Sequence, residues 1–288
     1  FWSIWQETVT YRIGIDVGGT FTDLIAVDSE GSLTTAKTLS TPTDPASSLS
    51  KGLSLLADNM SSDLSRMLDS TELIVHGSTV ALNTLLEKKG ARTALLCTSG
   101  FRDSLEIRLG IKERRYDWQY APPTPLVPRK LRLPIRERVD CAGQVHASLV
   151  EEDVHTAIEM FRRESVEAVA VCFLWSFRNE SHERRVGAIL EAALKDVYIS
   201  LSVDILPEIR EYDRTSTTVV NAYIGSQVRL YVRRVEELLG DLGYSGAIRF
   251  MQSNAGIAAP DDVERRPVYV LGSGPAAASA AGLFDASP

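Results

Sequence analysis

Near its start the chain reads Gly14-Ile15-Asp16-Val17-Gly18-Gly19-Thr20-Phe21-Thr22-Asp23, a stretch that leaves the backbone few options. Apolar residues precede it (Ile13, Ile15, Val17) and follow it (Phe21, Leu24, Ile25, Val27), which predicts two short strands joined across a Gly-Gly turn. Glycine lets the N–H groups of such a turn close on an anion with no Cβ in the way. Thr20 and Thr22 add hydroxyl donors, and Asp16 and Asp23 set carboxylates where they can hold a magnesium ion, directly or through water. A phosphate cradle beside an acidic metal anchor points to nucleotide phosphates. The plainer alternative, an ordinary hairpin with a Gly-Gly turn, is disfavoured by acids and threonines on both sides of the glycines.

The rest of the sequence bounds the class. A chain of 288 residues, 44% hydrophobic and 24% charged, can bury a substantial core and has a soluble globular composition. Its net charge of −7 argues against a general nucleic-acid surface but not against an anionic nucleotide held by backbone and metal. The three cysteines, Cys97, Cys141 and Cys172, lack the spacing of a disulfide framework or a zinc site, which fits a reducing cytoplasm. No apolar run reaches the ~18 residues that span a bilayer. Phe1–Glu7 has no basic region followed by an apolar stretch, so it is not expected to act as a secretory signal. The missing initiator Met and abrupt end lead us to expect a longer natural protein.

Alternating strands and helices with short links predict a layered α/β fold. A meander over residues 11–40 precedes a helix at 45–58 and a strand at 73–75. A helix at 78–89 closed by Gly90 in the C′ position and a strand at 92–98 come next. Residues 110–134 carry Pro122, Pro123, Pro125, Pro128 and Pro134 among Tyr116, Trp118 and Tyr120, which reads either as a stiff connector or as an aromatic flap over a pocket. Strands are expected at 135–139, 168–173, 198–203, 247–251 and 268–271, with helices between them. One long helix over 214–239 has a possible break at Gly225, and an Ala-rich helix follows Pro275.

Four further stretches carry polar groups at strand ends. His76-Gly77-Ser78-Thr79 meets a helix start, where N–H groups and hydroxyls either bind an anion or only cap the helix; Asn83 lies one turn in. His76 suits an acid, a base or an orienting donor. Glu208–Arg214 enters a helix as a charged cluster, either solvated ion pairs or a cleft wall whose Arg210 or Arg214 forks a phosphate or carboxylate. Ser253 and Asn254 follow a strand, a usual place for ligand-facing residues. Gly272-Ser273-Gly274-Pro275 opens a helix and loosely fits a dinucleotide fingerprint, but no second strand with its acidic residue follows. Histidines His146, His155 and His182 read as solvent-facing.

Asp16–Asp23 resembles the first phosphate loop of the actin, Hsp70 and sugar-kinase superfamily, and more narrowly that of the hydantoinase A and 5-oxoprolinase family, which includes acetone carboxylase subunits. The resemblance extends in order through His76–Asn83, Thr98-Ser99-Gly100-Phe101-Arg102-Asp103, Pro207–Thr218, Met251–Asn254 and Ser273–Ala277. It implies an actin-like (ribonuclease H-like) α/β lobe of mixed sheets flanked by helices. It divides the chain into an irregular tail (1–10), a hydantoinase/oxoprolinase N-terminal region (11–200) and the truncated start of a core domain (201–288). Where the family usually has Thr at 78, a Thr at 82 and Gly at 255, this chain has Ser78, Leu82 and Ala255.

The implied function is ATP-dependent opening of a cyclic amide such as a hydantoin or 5-oxoproline through phosphorylation of the amide oxygen. Related alternatives are an ATP-dependent ketone carboxylase subunit and a non-catalytic nucleotide-binding module. The resemblance assigns catalysis to Asp16, His76 and Arg214, and magnesium to Asp16 and Asp23. It assigns ATP to Gly18, Gly19, Thr20, Thr22, Asp23, Ser78, Thr79, Asn83, Ser253, Asn254, Ser273 and Gly274. A hydantoinase B-type subunit or domain is the implied partner, within an oligomer.

Overall fold

A computed structural model of the chain describes residues 9–41, 45–110 and 113–276. Strands β1 (Tyr11–Val17), β2 (Phe21–Asp28) and β3 (Leu33–Leu39) lead into helices α1 (Pro45–Asn59) and α2 (Leu64–Asp69). Strand β4 (Thr71–Ser78), helix α3 (Val80–Leu86), strand β5 (Thr93–Thr98) and the short helix α4 (Ser104–Ile107) follow. Strands β6 (Arg132–Ile135), β7 (Arg138–Val139) and β8 (Val145–Ala147) precede helix α5 (Glu151–Arg163), strand β9 (Ala168–Cys172) and helix α6 (Ser181–Ala193). Strand β10 (Tyr198–Leu201), helix α7 (Ser202–Ile205) and the long helix α8 (Glu211–Asp241) come next. Strands β11 (Ala247–Met251) and β12 (Ile257–Ala258) and helix α9 (Pro260–Arg265) complete the order. Two compact units result: one joins the chain up to Asn83 with the chain from Val228 onward, and the other is Thr84–Gln227.

The first unit is built on a mixed sheet in the order β12-β11-β4-β1-β2-β3. Alternation decides its faces. Ile13, Ile15 and Val17 of β1 and Thr22, Leu24 and Ala26 of β2 are buried, and the antiparallel register sets Ile15 opposite Leu24. Helix α1 covers this face with Leu49, Leu53 and Leu56, each fully buried. Its Gly52 sits so close that a Cβ there would come within 2.4 Å of Leu24 Cδ1. Burying three leucine side chains contributes on the order of 5 kcal/mol of transfer free energy, which is what holds α1 to the strands.

In the second unit β10, β9, β5 and β6 pair in parallel. Strands β5 and β9 are buried at every position, as expected where helices cover both faces of a parallel sheet. Pro134 lies in β6, the edge strand, where a missing N–H does least harm. Phe161, Val186 and Leu190 of the flanking helices pack into the same core as Ala94–Cys97 and Val169–Phe173.

Several local expectations change. Helix α3 ends at Leu86 and Lys88, not Gly90, takes the left-handed conformation, with φ of 56°. Gly90 is needed for another reason: a Cβ there would lie 2.2 Å from the Tyr223 ring. Helix α8 runs unbroken through Gly225, which makes room for the Tyr198 ring in the same way, at 2.4 Å. The strand expected at 135–139 splits because the Arg136 N–H donates to Asp153 Oδ2 (2.9 Å) rather than to a neighbouring strand. The strand expected at 198–203 stops at Leu201, since the Ser202 hydroxyl and Val203 N–H both donate to the buried Glu183 carboxylate. Residues 268–271 form no strand; Pro267 starts a 3-10 turn over Pro267–Val270.

His182 is buried rather than solvent-facing, with Nδ1 2.8 Å from Glu137 Oε2. In the proline-rich segment, Tyr116 and Trp118 are 93% and 87% exposed. Phe1–Glu7, Pro42 and the Ala-rich stretch from Ala277 lie outside the described residues.

Candidate functional site

Strands β1, β4 and β11 run parallel, so their ends at Val17, Ser78 and Met251 share one edge of the first unit's sheet. The Gly-Gly turn, the start of α3 and the loop after β11 therefore converge there. The turn is closed by Gly18 N–H donating to Phe21 O at 3.0 Å, and a Cβ on Gly18 would crowd that oxygen at 3.1 Å. Gly19 and Thr20 are exposed at its tip. Asn83 reaches the same tip: its Nδ2 lies 4.0 Å from where a Cβ on Gly19 would stand, and it donates to Thr79 Oγ1 at 3.1 Å. Thr79 N–H in turn donates to Val17 O (3.2 Å), which ties the helix start to the end of β1. Ser78 accepts from Val80 N–H at 3.1 Å and so caps α3, without excluding a ligand from the helix start.

Asp16 and Asp23 are direct antiparallel partners and therefore project from the same face, the one opposite α1. The surrounding protein, and next the Asp23 carboxylate, raise the Asp16 pKa above the ordinary aspartate value. Such a pair favours a cation between or beside its members. Asp23 already has one: Lys37 Nζ donates to its Oδ1 at 2.7 Å and lies 4.7 Å from the Phe21 ring centroid. Gly77 gives Asp16 its position, since a Cβ there would come within 3.2 Å of Asp16 Oδ1.

Among the described residues no group of three or more His, Cys, Asp and Glu could hold a metal alone. Two carboxylates on one face suit Mg2+, which takes one or two protein carboxylates and completes its shell with water and phosphate oxygens. The donor set fits magnesium bound with a nucleotide, with Asp16 and Asp23 as the residues that would hold it.

The C-terminal residues close the edge from the other side. Ser273 Oγ donates to Ser78 O (3.1 Å), and Gly272 N–H donates to Ser253 Oγ (3.0 Å), so Gly272 and Ser273 tie this segment to both loops. Asn254 Oδ1 accepts from Gly256 N–H at 2.9 Å around Ala255, whose φ is 65°. The alanine thus occupies a left-handed position where glycine is free of strain, at a cost of about 1 kcal/mol.

Three expected residues are arranged differently. Thr22 lies on the α1 face, fully buried, with its hydroxyl bonded to Ser40 Oγ and Ser48 Oγ at 3.0 Å each. His76 also lies inside. Its Nε2 is 2.6 Å from the Tyr231 hydroxyl, its ring meets Phe250 edge-on at 5.3 Å, and its Nδ1 is buried with no partner. Burial depresses its pKa to about 4 and keeps the imidazole neutral, while burial also lifts the Tyr231 phenol. Ser78 and Tyr231 line a small pocket with it that continues past Val228, Met251 and Ser273. Arg214 belongs to the second unit: buried, it donates from Nη1 to Glu208 O (2.9 Å) and from Nη2 to Phe173 O (2.8 Å).

Lys37 and Tyr231 complete the local arrangement and escaped the sequence reading, while Gly77 was read as part of its motif but not as the residue that positions Asp16. Lys37 was accessible in principle, as it faces Asp23 once the β2–β3 register is drawn. Tyr231 sits mid-helix, 155 positions from His76, with no local signal.

The model of the hydantoinase/oxoprolinase N-terminal region matches residues 12–194, and that of hydantoinase/oxoprolinase matches residues 214–285. The caprolactamase alpha subunit of Pseudomonas jessenii is 46% identical over 280 residues, which are 96% of this chain and 40% of that protein. The acetophenone carboxylase gamma subunit of Aromatoleum aromaticum is 33% identical over 269 residues, 89% of this chain and 37% of that one. The crystal structure of the ATP-dependent caprolactamase from Pseudomonas jessenii superposes with a TM-score of 0.88 over 95% of this chain and 40% of its own. The fold is of the actin-like class, mixed sheets flanked by helices. The chain spans about two fifths of the length of these relatives. Among the described residues no helix is long and apolar enough to cross a membrane.

Proposed function

The chain belongs to the hydantoinase/oxoprolinase family, and from that premise we propose that it is the phosphate-binding part of an ATP-dependent enzyme that opens a cyclic amide. The observation that carries the reading is the shared face of Asp16 and Asp23 beside the Gly18–Phe21 turn, on the same sheet edge as Thr79, Asn83 and Ser273. Kinship to a caprolactamase subunit supports a lactam-type substrate.

In this mechanism the turn at Gly18–Thr20 and the hydroxyls of Thr20 and Thr79 bind and orient the nucleotide phosphates. Ser253, Asn254, Ser273 and Gly274 form the opposite wall of the phosphate site. Asp16 and Asp23 would hold magnesium, which supplies neutralisation of phosphate charge. The amide oxygen of the substrate then takes the terminal phosphoryl group as ADP leaves, and the ring carbon becomes open to attack by water. Positioning and charge neutralisation carry the catalysis, with no covalent enzyme intermediate. Neutral, buried His76 acts here as a positioning residue for the Ser78–Tyr231 side of the edge rather than as an acid or base. Arg214 acts on its own unit's backbone.

Relatives that are subunits support a hydantoinase B-type partner that completes hydrolysis, within an oligomer. Free cysteines among the described residues are consistent with a cytoplasmic enzyme.

A second reading rests on the acetophenone carboxylase relative: the same phosphate site would activate bicarbonate or an enolate for carboxylation of a ketone. The two are separated with the full-length protein and its partner. Lactam-dependent ADP release without bicarbonate supports ring opening. Release that requires bicarbonate and a ketone, and ignores lactams, overturns it in favour of the carboxylase.

A further inference from the structure

The second unit carries a polar cluster that the phosphate site does not use. Its four strands are parallel, so Thr98, Ile135, Cys172 and Leu201 end on one edge, the position where open α/β sheets bind ligands. The segment Thr98–Asp103 leaves β5 at this edge, and Glu211 opens α8 close to it, near enough for its charge to act on Cys97. Glu211 is half-buried, its carboxyl raised above the usual range by burial, with the Ser104 hydroxyl and the charges of Arg214 and Arg138 nearby. Arg138 packs its guanidinium over the Phe101 ring at 5.1 Å and keeps Nη1 buried with no partner in the protein.

Two features mark this edge as more than a solvated charge cluster. A buried, unpaired guanidinium N–H is costly, about 1–3 kcal/mol, unless something accepts from it. The second unit also holds strained backbone in the segments that follow α4 and β9 and precede α8: Arg108, Trp175 and Arg210 have φ of 56°, 56° and 86°. A bulky residue such as Trp175 rarely adopts that region, and such strain collects where a site is held in shape.

We propose that Arg138 and Glu211 form a recognition site for the amide edge of a small lactam. Arg138 Nη1 donates to the carbonyl oxygen and the Glu211 carboxylate accepts from the ring N–H. Only a cis amide, the geometry a small ring enforces, turns C=O and N–H to the same side. Phe101 holds the guanidinium in place. The identification of the ligand as a lactam rests on the ring-opening reading above.

The test is saturation-transfer NMR on this chain with ε-caprolactam, N-methylcaprolactam and cycloheptanone at millimolar concentration. Arg138→Ala and Glu211→Ala are compared with wild type, each checked for fold by circular dichroism and melting. Caprolactam binding should fall about tenfold on N-methylation and about tenfold in either variant, the weight of one hydrogen bond to a charged group. Equal binding of the N–H and N-methyl rings, no lactam binding, or unchanged binding in both folded variants would overturn the site. Should either variant fail to fold, Arg138→Lys and Glu211→Gln, which keep the side-chain bulk, take its place in the comparison. Mg-ATP titrated into the same sample separates the two proposals. ATP binding without lactam binding removes this site and leaves the phosphate site standing, and lactam binding without ATP binding does the reverse.

Discussion

Acid should weaken the first unit through a single side chain, His76. In the folded protein its pKa is depressed to about 4 by burial, against the ordinary 6.5 of an exposed histidine. Between those values the unfolded chain binds a proton that the folded chain refuses, so stability falls as pH falls. Each unit of difference is worth about 1.4 kcal/mol, and the whole contribution develops from about pH 6.5 downward. At about pH 5 the loss relative to about pH 7.5 comes to about 2 kcal/mol. His76→Gln keeps a polar group for the Tyr231 hydroxyl and carries no titrating proton. Urea unfolding of both proteins at several pH values isolates the effect, since all other groups cancel in the difference. The gap between them should close by about 2 kcal/mol on acidification, the wild type losing the more stability. A pH-independent gap, or an imidazole titrating near 6.5 in the folded protein by NMR, would refute the reasoning.

Other expectations follow from close contacts. Gly90→Ala and Gly225→Ala both drive a methyl group into a tyrosine ring and should each cost about 1–3 kcal/mol in denaturant unfolding, even though alanine is the better helix former at 225. Glu183→Ala strips the acceptor from Phe173 N–H, Val203 N–H and the Ser202 hydroxyl, and should cost about 3 kcal/mol or more, seen as early melting of the second unit. Ala255→Gly relieves the left-handed strain and should stabilise the chain by about 1 kcal/mol in the same denaturant assay; a loss of stability would show that the loop tolerates the alanine without strain.

Local pattern made much of this molecule legible. The alternation in Tyr11–Asp28 and the Gly-Gly turn defined the hairpin because a period of two can satisfy only one sheet face. The leucines of α1 declared their helix by spacing. Legibility failed where a distant side chain decided the backbone: Asp153 ends β6 and Glu183 ends β10, and neither is visible from the strand it interrupts. It failed also for glycines, since Gly90 and Gly225 answer to tyrosine rings elsewhere in the chain rather than to turns. Within the site, Asp16, Gly18, Gly19, Thr79 and Asn83 come together as their motifs suggested. Thr22 does not, because the strand alternation that buries Leu24 turns its side chain inward too, and His76, turned inward with Ile74, meets Ser78 and Ser273 only through the buried pocket they line.

The central claim is that the Asp16–Asp23 hairpin binds nucleotide phosphates through magnesium. Calorimetric titration of Mg-ATP into this chain, alongside Asp16→Ala, tests it most directly. Saturable binding that weakens at least about tenfold in the variant is the predicted result. Equal binding by both proteins, or binding that persists unchanged when magnesium is chelated, would contradict it.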